Sequence, residues 1–321
     1  MNITVIGCGR WGSLITWYLD RTGHQVTLYG RPESARMQRF LTDRSNDLLT
    51  LPESVALSTA LDAALESAET VIISIGSQSL RSLLAEAPMR ALRSKTVVLC
   101  MKGLEMGTGE RLSVIAGSLL HESNTVAVWL GPGHVQEFYR GIPNCMVIDS
   151  RREDVKRRLV QSFSSDLIRF YYGDDLIGNE VGAAAKNVVG IAAGFLDGKG
   201  LSSLKGALMS RGTREVARLI KAMGGNELSA YGLCHLGDYE ATVFSPYSHN
   251  RQFGESFIRG ETYTDLAEGY YTVEALVLLG QRHGVELPIC QAVHRVLYCG
   301  ADPMQELRAL LDRNLTREFG E

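Results

Sequence analysis

Residues 3–12 read Ile-Thr-Val-Ile-Gly7-Cys-Gly9-Arg-Trp-Gly12, so an apolar strand pattern runs directly into Gly-x-Gly-x-x-Gly. A helical pattern follows at once over residues 13–20. In a turn of this kind the first glycine permits the tight bend, the second leaves room for a pyrophosphate, and the third lets helix and strand pack closely. The first N–H groups of the helix are then available to phosphates. Because the strand and the helix flank the motif, we predict dinucleotide binding rather than an ordinary glycine-rich loop.

The composition excludes several classes of protein. A length of 321 residues favours two domains, and 45% apolar with 21% charged residues is ordinary for a globular enzyme. The net charge of −3 provides no basic surface for nucleic acid, and no apolar stretch reaches the roughly 18 residues of a membrane span. The six cysteines form no C-x-x-C pair and the seven histidines show no metal-ligand spacing. We therefore expect a cytoplasmic protein with reduced cysteines and without a metal site.

Short apolar runs alternate with helical patterns through the first half of the chain. Alternation of this kind is typical of α/β proteins, in which helices cover both faces of a parallel sheet. We predict a Rossmann-type, doubly wound parallel sheet, completed by a helix at 151–164 and a short strand at 168–172. The other predicted strands cover 2–6, 25–29, 70–75, 96–101, 125–130 and 144–148, and two of the predicted helices cover 77–87 and 109–120.

The second half of the chain has a different character. From about Leu176 onward the periodicity is helical and the strand runs end. We predict a dinucleotide-binding domain over 1–180 and an all-α, substrate-binding domain over 181–321. No Pro/Gly/Ser-rich linker separates the two halves, so a helix is expected to join them directly.

The helical pattern over 181–194 is unusual because Lys186 is its only charge. Glycines 182, 190 and 194 lie four or eight residues away and share a face with Lys186, so another backbone or a ligand could come close there. An ammonium group surrounded by alanine and valine is expected to have a lowered pKa, which suits proton transfer near neutral pH. The alternative is a lysine whose head group reaches solvent from a packed helix end.

A second lysine, Lys102, follows the predicted strand 96–101 and precedes Gly103. The carboxyl ends of such strands face the ligand crevice, so the position favours a role in the site. The alternative is a surface lysine in a loop.

The end of the second predicted strand carries information on the cofactor. Gly30-Arg31 stands where sites that prefer NAD place an acid for the ribose 2′-hydroxyl. An arginine there accommodates a 2′-phosphate instead, although Glu33 lies close by. The residues therefore favour NADP and leave NAD open.

In order along the chain, these motifs resemble those of the bacterial-type NAD(P)-dependent sn-glycerol-3-phosphate dehydrogenases. The resemblance extends over essentially the whole chain. The matching stretches are 6–12, Met101-Lys-Gly-Leu-Glu105, Gly131-Pro132 with Glu137 and Gly141-x-Pro143, Glu180-Val-Gly-Ala-Ala-Ala-Lys-Asn187, 192–198, Ser210-Arg-Gly212, Leu236-Gly-Asp238, Ser248-x-Asn-Arg251, Ala267-Glu-Gly269 and 296–300.

The resemblance implies roles for individual residues. Lys186 would be the proton donor and acceptor at the substrate's C2 oxygen, and Lys102 and Asp238 would complete the catalytic set. The implied cofactor contacts are Gly7, Gly9, Arg10, Trp11, Gly12, Arg31, Lys102, Val135, His249 and Glu268. The implied substrate contacts are Lys102, Gly131, Gly133, Lys186, Asn187, Asp238, Thr242, Ser248, His249, Asn250 and Arg251.

Three positions depart from the family pattern. His249 replaces an arginine that contacts phosphate groups in the family, and imidazole lacks the bidentate fork of guanidinium. Gly133 replaces a serine or threonine of the substrate loop. Arg10 replaces a serine in the glycine loop and could add a cation for the pyrophosphate or a 2′-phosphate. These departures affect the expected substrate more than the expected reaction type.

The resemblance implies NAD(P)H-dependent, reversible reduction of dihydroxyacetone phosphate to sn-glycerol 3-phosphate, for phospholipid synthesis, by a cytoplasmic homodimer. One alternative is a dehydrogenase that acts on a different small hydroxy or keto compound. The other is a dinucleotide-binding protein without turnover, against which the presence of Lys102, Lys186 and Asp238 argues.

Overall fold

A computed structural model of the chain describes residues 1–312 and Glu318. Its first part is one eight-stranded sheet with the order β3-β2-β1-β4-β5-β6-β7-β8. This order reverses between β1 and β4, which is the switch point where doubly wound sheets bind ligands. The strands are β1 Asn2–Ile6, β2 Gln25–Tyr29, β3 Ala56–Ser58, β4 Thr70–Ile73, β5 Thr96–Leu99, β6 Thr125–Leu130, β7 Asn144–Ser150 and β8 Ile168–Tyr172.

Helices cover both faces of the sheet, as the alternating pattern predicts. Apolar side chains from the two faces form separate clusters, one around Trp129 and Phe163 and the other around Ile73 and Leu99. The first-half helices are α1 Arg10–Arg21, α2 Ala35–Asp43, α3 Leu61–Glu66, α4 Leu80–Leu84, α5 Ala87–Arg90, α6 Leu112–Leu119, α7 Val135–Tyr139 and α8 Glu153–Phe163.

The fold class is confirmed, and three details of it are wrong. β7 runs antiparallel to β6, whereas the sequence predicts only parallel strands. The three-residue edge strand β3 was not predicted. The helix predicted over 77–87 is a 3₁₀ turn at Ser77–Ser79 followed by α4, and α5 begins only at Ala87. Pro88 stands in the first turn of α5, a position where proline is tolerated because its missing N–H has no partner there.

The second half is helical in every element that the structure describes. The long helix α9, Leu176–Gly198, is separated from β8 by three residues and is buried over almost its whole length. It packs against α10, α11 and α12. The remaining α-helices are α10 Lys205–Ala222, α11 His249–Arg259, α12 Glu268–His283, α13 Pro288–Cys299 and α14 Pro303–Leu311.

The glycines of α9 serve close helix packing. A Cβ on Gly194 would lie 2.1 Å from the carbonyl oxygen of Arg251 and 2.7 Å from the backbone nitrogen of Glu255. The backbone of α11 therefore occupies the space that the absent side chain leaves. The sequence left open whether this glycine face receives another backbone or a ligand, and at Gly194 it receives the backbone of α11.

The helix α9 also joins the two halves. Glu180, in its second turn, accepts hydrogen bonds from Arg111 Nη1 at 2.6 Å and from the backbone N–H of Ser113 at 2.8 Å. The predicted domain boundary at 180/181 falls within this helix, and the division into two domains stays a prediction. Residues 313–317 and 319–321 of the predicted helical domain lie outside the described residues. None of the described helices is both long and apolar enough to cross a membrane.

Candidate active site

Three side chains from distant parts of the sequence meet at one carboxylate oxygen. Lys102 follows β5, Lys186 lies on α9, and Asp238 ends a short 3₁₀ turn at Leu236–Asp238. The Lys102 Nζ atom is 2.7 Å and the Lys186 Nζ atom is 3.1 Å from Asp238 Oδ2. The Asp238 side chain is 1% exposed. The predicted catalytic residues are therefore brought together at the carboxyl end of the sheet.

Lys186 lies in a setting that favours loss of its proton. Burial lowers the pKa of its ammonium group to about 8, and the positive charge of Lys102 acts in the same direction while Asp238 opposes it. Its Nζ atom donates a hydrogen bond to Thr242 Oγ1 at 2.8 Å. The alternative of a solvent-reaching lysine is wrong, because the residue is only 8% exposed. An amine with this pKa can both give and take a proton near neutral pH.

A chain of amide hydrogen bonds fixes the neighbouring wall. Asn187 Nδ2 donates to the carbonyl oxygen of Lys102 at 2.7 Å, and Asn250 Nδ2 donates to Asn187 Oδ1 at 3.0 Å. Asn250 Oδ1 in turn accepts from the backbone N–H of Gly269 at 2.8 Å. This chain connects the loop after β5 with α9, α11 and α12, so it holds the two lysines in register.

The glycine loop has the shape that a dinucleotide requires. A Cβ on Gly7 would lie 2.2 Å from the carbonyl oxygen of Ser74, and one on Gly12 would lie 1.9 Å from that of Gly7. A Cβ on Gly9 would meet only Arg36 Nη1, at 3.8 Å. The outer glycines are thus needed for packing, whereas the middle one borders open space at the N-terminus of α1. The residues present fit a pyrophosphate there.

The loop after β6 forms the opposite wall. Lys102 Nζ also donates to the carbonyl oxygen of Gly131. Gly133 has a φ of +139°, and a Cβ there would lie 2.2 Å from the Phe138 ring. The positive φ and the nearby Phe138 ring both explain why Gly133 stands where the family carries a serine or threonine. Val135 follows as the buried first residue of α7.

Two further side chains close the crevice on the cofactor side. The Lys102 ammonium lies 5.9 Å from the centre of the Trp11 ring, within the range of a cation–π contact. Glu268, the first residue of α12, accepts a 2.9 Å hydrogen bond from the backbone N–H of Ser77 and another from the Ser77 hydroxyl. Burial raises the pKa of Glu268, and its hydrogen bonds with Ser77 oppose that shift.

Arg10 and His249 meet across the crevice from the two halves of the chain. Arg10 Nη1 contacts His249 Nε2, and His249 Nδ1 lies 2.6 Å from the Tyr263 hydroxyl. Burial lowers the pKa of His249, and the charge of Arg10 lowers it further. Asp265, 3.7 Å from His249 Nδ1, opposes this shift, so the net effect favours the neutral imidazole, and Arg10 supplies a permanent positive charge at this place.

Two predicted contacts take other positions, and a third, Arg31, lies at the strand end where the sequence places it. Arg251 Nη1 binds Asp197 at 2.8 Å and Glu255 at 2.9 Å, so its charge is already neutralised away from the lysine pair. The Ser248 hydroxyl caps α11 by accepting the backbone N–H of Arg251. Arg31 stands exposed at the end of β2, outside the lysine cluster.

Sequence reasoning missed two residues at the site. Ser77 holds Glu268, and Arg36 borders Gly9. His134 lies in the substrate-side loop with its ring 5.5 Å from that of Tyr247, and burial lowers its pKa to about 4. Neither Ser77 nor Arg36 belongs to a recognised motif: Ser77 lies four residues after β4, and Arg36 lies in the first turn of α2.

A glycine loop at the switch point of a doubly wound sheet faces Lys102 from the sheet half and the buried Lys186 from the helical half. This arrangement defines a nicotinamide-dependent dehydrogenase. Profiles of the NAD-dependent glycerol-3-phosphate dehydrogenase family match residues 2–156 with its N-terminal part and residues 175–308 with its C-terminal part. The chain belongs to this family, as its motifs predict.

Individual relatives agree with this assignment over their full lengths. The chain is 36% identical to a glycerol-3-phosphate dehydrogenase [NAD(P)+] of Thermus thermophilus, covering 99% of this chain and 100% of that one. It is 35% identical to the protein of the same name in Streptomyces griseus, with coverage of 99% and 98%. The crystal structure of glycerol-3-phosphate dehydrogenase from Coxiella burnetii superimposes with a TM-score of 0.90 at 28% identity, covering 97% of this chain and 99% of that one.

Proposed function

We propose that the protein interconverts dihydroxyacetone phosphate and sn-glycerol 3-phosphate with NADP or NAD. The observation that carries the proposal is the pair of ammonium groups on Asp238 Oδ2, with the pKa of Lys186 lowered to about 8. This group lies at the carboxyl end of the sheet, the edge that also carries the glycine loop. The names of the relatives, glycerol-3-phosphate dehydrogenase [NAD(P)+], support the choice of substrate.

The glycine loop and the N-terminus of α1 would hold the cofactor's pyrophosphate, with Arg10 beside them. Trp11, Val135 and Glu268 border the crevice toward the lysines. When bound, the nicotinamide supplies the hydride in one direction and takes it in the other. The residues of this chain therefore have to orient the ketone and to donate one proton to its oxygen, or accept it in the reverse direction.

Lys186 donates and accepts that proton. As the ketone gains a hydride at C2, its oxygen develops negative charge, and the Lys186 ammonium donates a proton to it. In the reverse direction neutral Lys186 removes the proton of the C2 hydroxyl. A positioned acid–base group of this kind contributes about 10²–10⁴-fold to the rate.

Lys102 and Asp238 set the electrostatics of that step. The Lys102 ammonium stabilises the developing oxyanion without moving a proton itself. Asp238 holds both ammonium groups on one side and offsets part of their mutual repulsion. Thr242 orients Lys186 by accepting a hydrogen bond from its Nζ atom. Asn187 orients the loop of Lys102 by donating a hydrogen bond to the Lys102 carbonyl oxygen.

The substrate phosphate requires a cation, and Arg10 supplies it from the first half of the chain. His249 contributes a neutral imidazole, and Asn250 contributes an amide on the same helix end. Gly131 and Gly133 border this pocket from the loop after β6. Arg251 is not used, because two carboxylates already bind it.

A second candidate substrate class follows from the loop after β6. Gly133 and His134 present no hydroxyl to the ligand, so a different small hydroxy or keto compound is the alternative. Comparing kcat/KM for dihydroxyacetone phosphate with that for non-phosphorylated ketones decides between them. A preference above about tenfold for the phosphorylated ketone favours the first proposal.

In this proposal the enzyme acts in the cytoplasm as a homodimer and supplies glycerol 3-phosphate for phospholipid synthesis. The six cysteines, all without disulfide partners, support a reducing compartment. Light scattering at micromolar concentration tests the dimer, with a mass of twice 35.2 kDa expected. A monomer mass across that range would contradict it.

The test of the activity is the initial rate of NADPH and NADH oxidation with dihydroxyacetone phosphate. Turnover with at least one cofactor is expected from the purified chain. Tight cofactor binding without oxidation by any ketone would instead support a binding protein without turnover.

A further inference from the structure

An arginine beside the glycine loop has no part in the chemistry described so far. Arg36 lies in the first turn of α2, and its Nη1 atom is 3.8 Å from the place that a Cβ on Gly9 would take. Ser34, the N-cap residue of α2, has its hydroxyl 3.6 Å from Cys8 Sγ in the same loop. The start of α2 is thus anchored to the glycine loop, and the Arg36 guanidinium stands at the edge of the space beside Gly9.

The charge of Arg36 is not neutralised within the described part of the chain. Its guanidinium binds no carboxylate and makes no hydrogen bond to another described residue. Its positive charge acts across the crevice and lowers the pKa of His249, by less than burial and Arg10 do. Arg39, one turn further along α2, differs because it binds Asp47 at 2.6 Å. An arginine left without an anion beside a phosphate-binding loop is suited to bind one.

An acidic side chain does not fit at Gly30, the position at the end of β2 where NAD-binding sites place one. A Cβ on Gly30 would lie 2.8 Å from Cys8 Sγ and 2.8 Å from Met37 Cβ, so no residue with a side chain fits there. A carboxylate directly at this strand end, which would bind the ribose 2′-hydroxyl, is therefore excluded by packing. Two cations lie near this place, Arg31 from the strand end and Arg36 from α2, together with the exposed carboxylate of Glu33.

We propose that Arg36 binds the 2′-phosphate of NADP and determines a preference for NADP over NAD. The proposal rests on the proposed function only in placing a dinucleotide on the glycine loop. The pyrophosphate has the N–H groups of α1, and the Arg10 guanidinium lies against His249 on the substrate side. This leaves Arg36, on the α2 side, for the extra phosphate, which the guanidinium fork can bind through two parallel hydrogen bonds.

The experiment compares dissociation constants for NADPH and NADH, measured by fluorescence titration in the absence of substrate. Arg36→Ala is expected to raise the Kd for NADPH about 10- to 100-fold, the range of a charge-assisted hydrogen bond. The Kd for NADH should stay within about twofold. Arg39→Ala is the matched control on the same helix and should change neither constant. Arg36→Lys, which keeps the charge but loses the fork, should fall between parent and Arg36→Ala.

Adenosine 2′,5′-bisphosphate is a probe of the same site without nicotinamide. It should displace bound NADPH from the parent at least tenfold better than AMP does, and this advantage should disappear in Arg36→Ala. Equal losses for NADPH and NADH would overturn the proposal in favour of a pyrophosphate contact, and an unchanged Kd for NADPH would overturn it outright. Failure of the proposed function is separate, since it leaves these constants intact and abolishes only turnover with dihydroxyacetone phosphate.

Discussion

Lys186 shows how far single residues could be interpreted from the sequence. A lone charge on a helix of alanine, valine and glycine predicted a buried amine, and the residue is 8% exposed with its pKa lowered to about 8. The partner that keeps it charged could not be predicted from the pattern alone. Asp238 lies 52 residues further along in a short 3₁₀ turn, and only the fold brings its carboxylate to 3.1 Å.

The lowered pKa of Lys186 predicts opposite pH profiles for the two directions. Ketone reduction needs the ammonium form, so kcat/KM for reduction should fall as pH rises through about 8. Alcohol oxidation needs the neutral amine, so its kcat/KM should rise over the same interval. Lys186→Arg should lack the step near pH 8 in either direction, because guanidinium stays protonated. Lys199→Ala, at the exposed end of the same helix, is the control. A parent profile that is flat from pH 7 to 9 would contradict the assignment.

The three glycines of the loop should respond differently to substitution. Gly9→Val places a side chain in open space, so the thermal midpoint should stay near that of the parent while NADPH affinity collapses. Gly12→Val should lower the midpoint strongly, because even its Cβ would lie 1.9 Å from the Gly7 carbonyl oxygen. Differential scanning fluorimetry with NADPH titration separates the two effects. Parent-like NADPH binding by Gly9→Val would mean that the phosphates bind elsewhere.

At the scale of elements, the sequence predicted the strands that are long and apolar and missed what depends on partners. Strands β1, β2, β6 and β8 begin and end where their apolar runs do. The direction of β7 was wrong because an apolar run looks the same in either orientation, and only pairing with β6 decides it. The edge strand β3 was missed because three residues are too short to show periodicity.

The contact between α9 and the start of α6 predicts a stability effect. Glu180→Ala leaves Arg111, whose side chain is 10% exposed, without its carboxylate and removes the acceptor of the Ser113 N–H. Breaking a buried pair in this way costs about 3–5 kcal/mol. The free energy of unfolding from urea titration measures it. The control Asp47→Ala removes an exposed pair with Arg39 and should cost under about 1 kcal/mol. Equal losses in both variants would contradict this view of the contact.

On the scale of the whole molecule, the site is assembled across the two halves of the chain. Lys102 meets Asp238, Arg10 meets His249, and Ser77 meets Glu268, over separations of 136, 239 and 191 residues. The sequence could identify most of these residues through motifs that resemble a known family. It could not pair them, because each pairing depends on how the helical half packs against the carboxyl end of the sheet. Arg36 stayed unrecognised because its place beside Gly9 depends on how α2 packs against the glycine loop within the first half.

The most direct test of the account is the initial rate of NADPH and NADH oxidation by dihydroxyacetone phosphate, measured for the parent, Lys186→Ala and Lys199→Ala. The account predicts turnover by the parent and by Lys199→Ala, with kcat lowered by about 10²-fold or more in Lys186→Ala. NADPH affinity should be nearly the same in all three. Absence of turnover by a parent that binds NADPH, or a kcat for Lys186→Ala within threefold of the parent, would contradict it.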